Sequence, residues 1–536
     1  MHASLSQIRL HPGARADMHW ADIAVIAAYM LTLVAIGIRG ARGQQTTASY
    51  FVAGRSIPGW AAGLSLLATI ITSLTFIAYP GSAFAGDWNL LVPGLIFVAV
   101  ILSIGPIIVP FFRHAVSMSV YEYFGKRFGP GVRMYSSFAF AAGHFAKMGF
   151  VFYLLALAVA GFTGWSIALL ITGLGVITVF YTFVGGLRAV IWTDVVQSVL
   201  IWMGIAIAVA LLLSSPHAQP AAMFHQIAVN HKTSLGSMDF DLARPTFWTM
   251  ALYGFFYYLQ KYTADQTVVQ RYLAASSDRS ALRGIELGAS LCLPVWTAFM
   301  LIGSLLWAFY RLSGQMLPAA VTRPDQVFPY YIVTQMPIGV GGLFLAALFG
   351  AAMSMLASDL NCLGLIIVED FYSHFFPRNS DAQRLRFGKL SIIFCGALAI
   401  TVALRLSNTR GSALASYFTA TSIIAGGLAG LFLLAFLAQR AGRGAAIAGI
   451  VANLLFTAYA TVTLNGGAIL NLHRYNYPWS EYTIGVFGNI LLLATGLLYA
   501  ALFPAWPGSP SSATLWSWLA ERRHHGLHVI QLGETS

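Results

Sequence analysis

Apolar residues run through this chain in thirteen blocks long enough to be membrane helices, at about 20–38, 58–82, 88–112, 131–161, 164–184, 188–213, 246–265, 282–310, 339–373, 388–406, 412–437, 444–463 and 483–504. A span of about 20 apolar residues crosses a hydrocarbon core of about 30 Å. The pattern therefore predicts an all-α polytopic membrane protein with one transmembrane domain, 20–504, between an outer segment, 1–19, and a cytoplasmic tail, 505–536. The longest polar stretches, about 214–245, 311–337 and 464–482, are each too short for an independent core. "SVYEYFGKRFG" from Ser119, "VFPYYIVTQMP" from Val327 and "ATLWSWLAERRHH" in the tail are amphipathic enough to lie as short helices in the interface.

Composition agrees, with 58% hydrophobic and 9% charged residues and a mean hydropathy of +0.73, where soluble chains carry roughly 25% charge. The net charge of +12 raises the question of nucleic acid, but its placement answers it. With the N-terminus outside, inner loops hold 19 Lys and Arg and outer segments 9, leaving Lys147 and Lys261 inside spans. The positive-inside rule then sets the C-terminus in the cytoplasm and predicts a multi-pass protein of the plasma (inner) membrane, with the bilayer as partner and no nucleic acid. The opening "MHASLSQIRLHPGARADM" lacks the features of a signal peptide, so the first span is expected to be retained. Cys292, Cys362 and Cys395 lie in spans without paired spacing and read as small buried residues.

Several spans carry polar groups that a lipid-facing helix does not need. "SLLATIITSLTFIAYPG", Ser65 to Gly81, holds Thr69, Thr72, Ser73 and Thr75 and ends in Tyr-Pro-Gly. Two readings are open: a helix broken at mid-membrane to expose backbone to an ion or solute, or hydroxyls bonding back to the preceding turn. "FGAAMSMLASDLNCLG" places Ser354 and Ser358 on one helical face with Asp359 and Asn361 at membrane depth. "YTFVGGLRAVIWTDVVQ" makes a tight turn at Gly185-Gly186 and sends Asp194 into the next span, a carboxylate of the kind hard cations prefer. "YYLQKYTADQTVVQRYLAA" turns polar before its span is complete, marking a second candidate break. Its Lys261 reads as a solute ligand, as the partner of Asp359, or as a lysine reaching back to the interface. Lys147 lies near the middle of a span of about thirty residues, where such reach fails.

"YFVAGRSIPGWAAGLSLLAT", "FVGGLRAVIWTDVVQ" and "DQTVVQRYLAA", in that order, resemble motifs of the sodium:solute symporter family over roughly 20 to 440. The resemblance implies a leucine-transporter-type core of two inverted five-helix repeats, about 58–213 and 246–437, with 20–38, 444–463 and 483–504 peripheral. It implies Na+ as the coupling ion, H+ being the alternative, and no organic cofactor. The main sodium site carries over to the carbonyls of Ala68, Ile71 and Ala351 and the hydroxyl of Ser354. Met355 stands where the family usually has a hydroxyl, so Asp359 enters as a further candidate ligand. A second site carries over to Asp194, Ser354 and Ser358, with Ala357 departing from it. Thr72, Thr75 and Lys147 match solute contacts of the family's sialic acid branch, which favours an organic anion. Tyr257, Tyr258, Gln260, Lys261 and Asn361 are further solute candidates, and the tyrosines, Gln260 and Asn361 would also serve a neutral sugar or polyol. A channel or a solute sensor is the more distant alternative. An enzyme would want a cluster of histidines or carboxylates at one depth, and His144 alone is clearly mid-span.

Overall fold

The computed structural model describes residues 19–215, 219–318, 321–408, 426–467, 470–503 and 514–521. Among them nine helices are each long and apolar enough to cross a membrane, and one bent pair passes the same test taken together as a broken span. In chain order α1 (Trp20–Gly40) leads through α2 (Thr47–Phe51) to the bent pair α3 (Gly59–Ile70) and α4 (Ser73–Ala85). Then come α5 (Val92–Ala115), α6 (Tyr121–Phe128), α7 (Pro130–Thr163), α8 (Ile167–Leu213) and α9 (Pro220–Val229). α10 (Phe247–Thr263), α11 (Gln266–Ala274), α12 (Asp278–Ser313) and α13 (Val327–Gln335) follow. α14 (Val340–Ile366) runs through a π turn, Ile367–Tyr372, into α15 (Ser373–Phe375), and α16 (Asp381–Asn408), α17 (Leu428–Leu437), α18 (Arg443–Gly467) and α19 (Tyr482–Leu502) complete the order. The eleventh expected span, 412–437, falls largely outside the described residues, and α17 is its described end.

The two expected spans, 164–184 and 188–213, are the two helical arms of the 47-residue stretch α8, separated by a non-helical kink at Gly186. At 1.5 Å per residue it would be about 70 Å long, more than twice the hydrocarbon core. It doubles back instead. Gly186 adopts φ 53° and ψ −158°, which only glycine takes without strain. Tyr181 packs on Gly37 and Ala189 on Gly40, so both arms return along α1. Gln44 Nε2 donates to the Gly185 carbonyl at 2.5 Å, and the Tyr50 hydroxyl donates to that of Phe183 at 2.8 Å, which satisfies the carbonyls freed by the turn.

α12 lies along both halves of the bent pair. A Cβ on Gly288 would sit 2.5 Å from the Gly63 carbonyl oxygen and 3.0 Å from Leu66, while Gly59 meets Gly284 and Pro80 meets Gly303. Membrane helices gain association from such close backbone approach. Gly288→Val is expected to lower stability by about 3 kcal/mol, the upper end for overpacking. Thermal unfolding in detergent checks this against Gly105→Ala, whose added methyl meets its nearest neighbour at an ordinary 3.6 Å.

The arginine-rich ends of these helices are joined to one another. Arg113 pairs with Asp278 at 2.7 Å and donates to the carbonyls of Tyr272 and Ala275, and Arg55 donates to the carbonyls of Arg113 and Val116. The Glu122 carboxylate accepts the N–H groups of Ser117, Met118 and Ser119 at 2.9–3.1 Å. Asp370, in the π turn, takes Arg133 at 2.6 Å and the hydroxyls of Ser119 and Ser137. α6, expected to lie in the interface, is instead packed inside this assembly, with Tyr121, Tyr123 and Phe124 fully buried. α13 forms as expected, yet Val327, Phe328 and Tyr331 are buried against the bundle. Cys292, Cys362 and Cys395 are buried and unpaired with one another, as anticipated.

Candidate functional site

The break between α3 and α4 bends the span by 58°. Ile71 is extended (φ −80°, ψ 100°), as is Thr72. In a continuous helix the Thr72 N–H would close on the Ala68 carbonyl and the Thr75 N–H on that of Ile71. Here Thr72 N–H donates to Thr75 Oγ1 at 3.3 Å, and Thr75 N–H to the Thr72 carbonyl at 2.9 Å. The two carbonyls at Ala68 and Ile71 thus lose their helical partners, and both residues are buried. Only Thr69 bonds back to the preceding turn, its hydroxyl donating to the Ser65 carbonyl. The two sequence readings each hold at different residues of the same segment.

Asp194 lies on the returning arm of α8 and has no exposed surface. Its carboxylate accepts from Ser65 Oγ of α3 and from Ser354 Oγ of α14, each at 2.5 Å. Arg271 of α11 closes the group: its Nη2 is 3.3 Å from Asp194 and donates to Ser358 Oγ, its Nε donates to Ser65 Oγ at 3.2 Å, and Nη1 donates to the Thr267 carbonyl. Three expected ligands of a second cation site, Asp194, Ser354 and Ser358, therefore do meet. Ala351 and Met355 are buried on α14, which packs against both α3 and α4.

A second polar assembly faces a cavity of about 140 Å³, lined among others by His144 and Lys147 of α7, Tyr257, Gln260 and Lys261 of α10, Asp265 at the α10–α11 junction, and Leu428. Lys147 Nζ sits 3.0 and 3.1 Å from the two oxygens of Asp359. His144 stands between carboxylates, Nδ1 2.7 Å from Asp359 and Nε2 3.4 Å from Asp265, and Lys261 pairs with Asp265 at 2.5 Å. A protonated imidazole can donate to both carboxylates and a neutral one to only one of them. The second break falls here: α10 ends at Thr263 and Asp265 caps α11, accepting the Thr267 N–H at 2.9 Å.

Several expectations change. Lys261 takes Asp265, one turn along its own chain, and leaves Asp359 to Lys147. Asp359 is accordingly not brought to the cation site beside Met355, because its carboxylate is committed to Lys147 and His144. Asn361 is buried away from the cavity, its Oδ1 accepting from Gln270. Tyr258 is buried among Phe97 and Trp296 and does not line the cavity, whereas Tyr257, Gln260 and Lys261 do. Thr72 and Thr75 close the break rather than line the cavity wall. Ser65, His144, Asp265 and Arg271 were not anticipated as site residues. The one readable signal was His144, three residues from Lys147 and so on the same helical face.

A family model described as the sodium:solute symporter family matches residues 50–452. The sodium/sialic acid symporter NanT of Aliivibrio fischeri is 31% identical over 481 residues, which cover 89% of this chain and 92% of NanT. A solved substrate-bound, outward-open Na+-coupled sialic acid symporter superposes with a TM-score of 0.84 at 29% identity, covering 91% of this chain and 100% of that one. Mhp1, a nucleobase-cation-symport-1 family transporter, shares the fold at 18% identity, with a TM-score of 0.53 and coverage of 88% and 99%.

Proposed function

Because the chain belongs to the sodium:solute symporter family, we propose that it couples Na+ to the uptake of a small organic anion, with sialic acid the first candidate. The observation that carries the anion is Lys147, a lysine deep in a span whose side chain is 32% exposed, at the cavity wall. An ammonium can take a solute carboxylate as a point charge. With His144 protonated, the wall and its buried Asp359 hold three cations, Lys147, Lys261 and His144, against two carboxylates.

The Na+ site of this reading is formed by the freed carbonyls of Ala68 and Ile71, the Ala351 carbonyl and the Ser354 hydroxyl. Hard cations favour such oxygens, and the thioether of Met355 adds nothing for them. Na+ bound there would fix the α3–α4 break from the outer side. The joined arginine-rich ends, which we assign to the cytoplasmic face from the distribution of charge, would then part to release ion and solute.

Solute charge sets the driving force. For a neutral solute, one Na+ gains about 2.3 kcal/mol from ~100 mV and about 1.4 kcal/mol from a tenfold gradient. Together these support about 500-fold accumulation. One Na+ with a monoanion moves no net charge, so only the gradient contributes and the limit is about tenfold. A neutral sugar or polyol is the second reading. It is favoured by the pairing of each lysine with its own carboxylate, which leaves no uncompensated charge while His144 is neutral.

Uptake into proteoliposomes of N-acetylneuraminate, small monocarboxylates and neutral sugars, with Na+, Li+ or proton gradients imposed, tests the proposal. Saturable, Na+-driven uptake of an acid is expected. Uptake indifferent to Na+ would remove the coupling, and uptake confined to neutral sugars would remove the anion.

A further inference from the structure

Five side-chain oxygens converge inside the bundle where α3, α8 and α14 meet: both carboxylate oxygens of Asp194 and the hydroxyls of Ser65, Ser354 and Ser358. None of these residues has exposed surface. A buried shell of hydroxyls around one carboxylate is a cation's environment, since a lone carboxylate in such a place needs a positive partner. The cation present belongs to the chain. Arg271 is itself fully buried, and its guanidinium reaches Ser65, Asp194 and Ser358 at once, while its remaining nitrogen is tied to the Thr267 carbonyl of its own helix. The planar fork fits these separated oxygens as an ammonium would not.

We propose that Arg271 is the built-in occupant of a cation site made by Asp194, Ser65, Ser354 and Ser358, and that its guanidinium excludes Na+ from that site. Any Na+ bound by the protein is then bound elsewhere, and the charge that a second ion would supply is carried permanently on α11. A guanidinium fixed to the chain cannot be released on one side of the membrane, so this position contributes no ion to the transport stoichiometry.

The test counts Na+ on the purified full-length protein by equilibrium binding of radioactive Na+, with choline as the replacement ion and no solute present. Arg271→Gln is expected to bind one more Na+ per chain than the parent, and the double variant with Asp194→Asn to lose that extra ion. Na+ should also raise the melting temperature of Arg271→Gln more than that of the parent. An unchanged count in Arg271→Gln overturns the proposal, because a merely structural ion pair would lose stability without gaining an ion. If Arg271→Gln does not fold, Ser358→Ala decides: an unchanged count supports the proposal, and the loss of one ion shows that Na+ already binds there. The inference does not rest on the solute. A parent that binds no Na+ would sink the coupling proposed above, while the difference between parent and variant stays readable.

Discussion

Replacing Asp194 with alanine is expected to cost the fold about 3–5 kcal/mol, the range for removing one partner of a buried ion pair. Neither Asp194 nor Arg271 has exposed side-chain surface, so no solvent takes over the guanidinium's charge once the carboxylate is gone. The Ser65 and Ser354 hydroxyls lose their acceptor as well, at about 1–3 kcal/mol for each group left unsatisfied. Most of the penalty comes from the orphaned charge, so Asp194→Leu combined with Arg271→Leu should be far closer to the parent than either single change. Thermal unfolding of the four proteins in one detergent measures the cycle. A double variant as unstable as the two singles added together would show that the pair is not the unit assumed here.

Lys147→Ala is expected to weaken acid uptake by about 30- to 3,000-fold in half-saturating concentration. This corresponds to about 2–5 kcal/mol for truncating one side of a desolvated charge pair, at about 1.4 kcal/mol per factor of ten. Uptake of a neutral sugar, if the protein carries one, should change little. Asp359 keeps its contact with His144 at 2.7 Å in this variant, which limits the damage to the wall. Lys147→Arg should retain acid uptake and so separates loss of charge from loss of fold. Equal effects on acid and sugar in flux assays would place Lys147 in the scaffold and remove it from solute binding.

Most of the spans, the turn at Gly185-Gly186 and the break after Ile70 were legible because each is a local matter of apolar run length, glycine and hydroxyls within one segment. The meeting of Asp194 with Ser354 and Ser358 was legible as chemistry but not as distance. Arg271 stayed hidden because "QTVVQRYLA" reads as a polar inner loop. It becomes core only when the chain breaks at Ala264 and Asp265 and folds α11 inward, burying the whole of it. The partner of Lys261 was misassigned for a related reason. Once α10 ends at Thr263, the Asp265 carboxylate comes within reach one turn along, and a neighbour on the same chain outcompetes a carboxylate on another helix. Lys147 then inherits Asp359 across 212 residues, a pairing that no spacing announces.

A crossing interrupted at its midpoint looks like a joint, but α12 is packed along both of its halves. Gly288 is pressed against Gly63 below the interruption and Gly303 against Pro80 above it, so one continuous helix bridges both halves over about 20 Å. The two pieces of the broken crossing share this one long partner, which carries Pro294 between the two contacts. The interruption is then a notch held between α12 on one side and α14 on the other. An ion seated in it would be let go by withdrawal of the facing wall on α14.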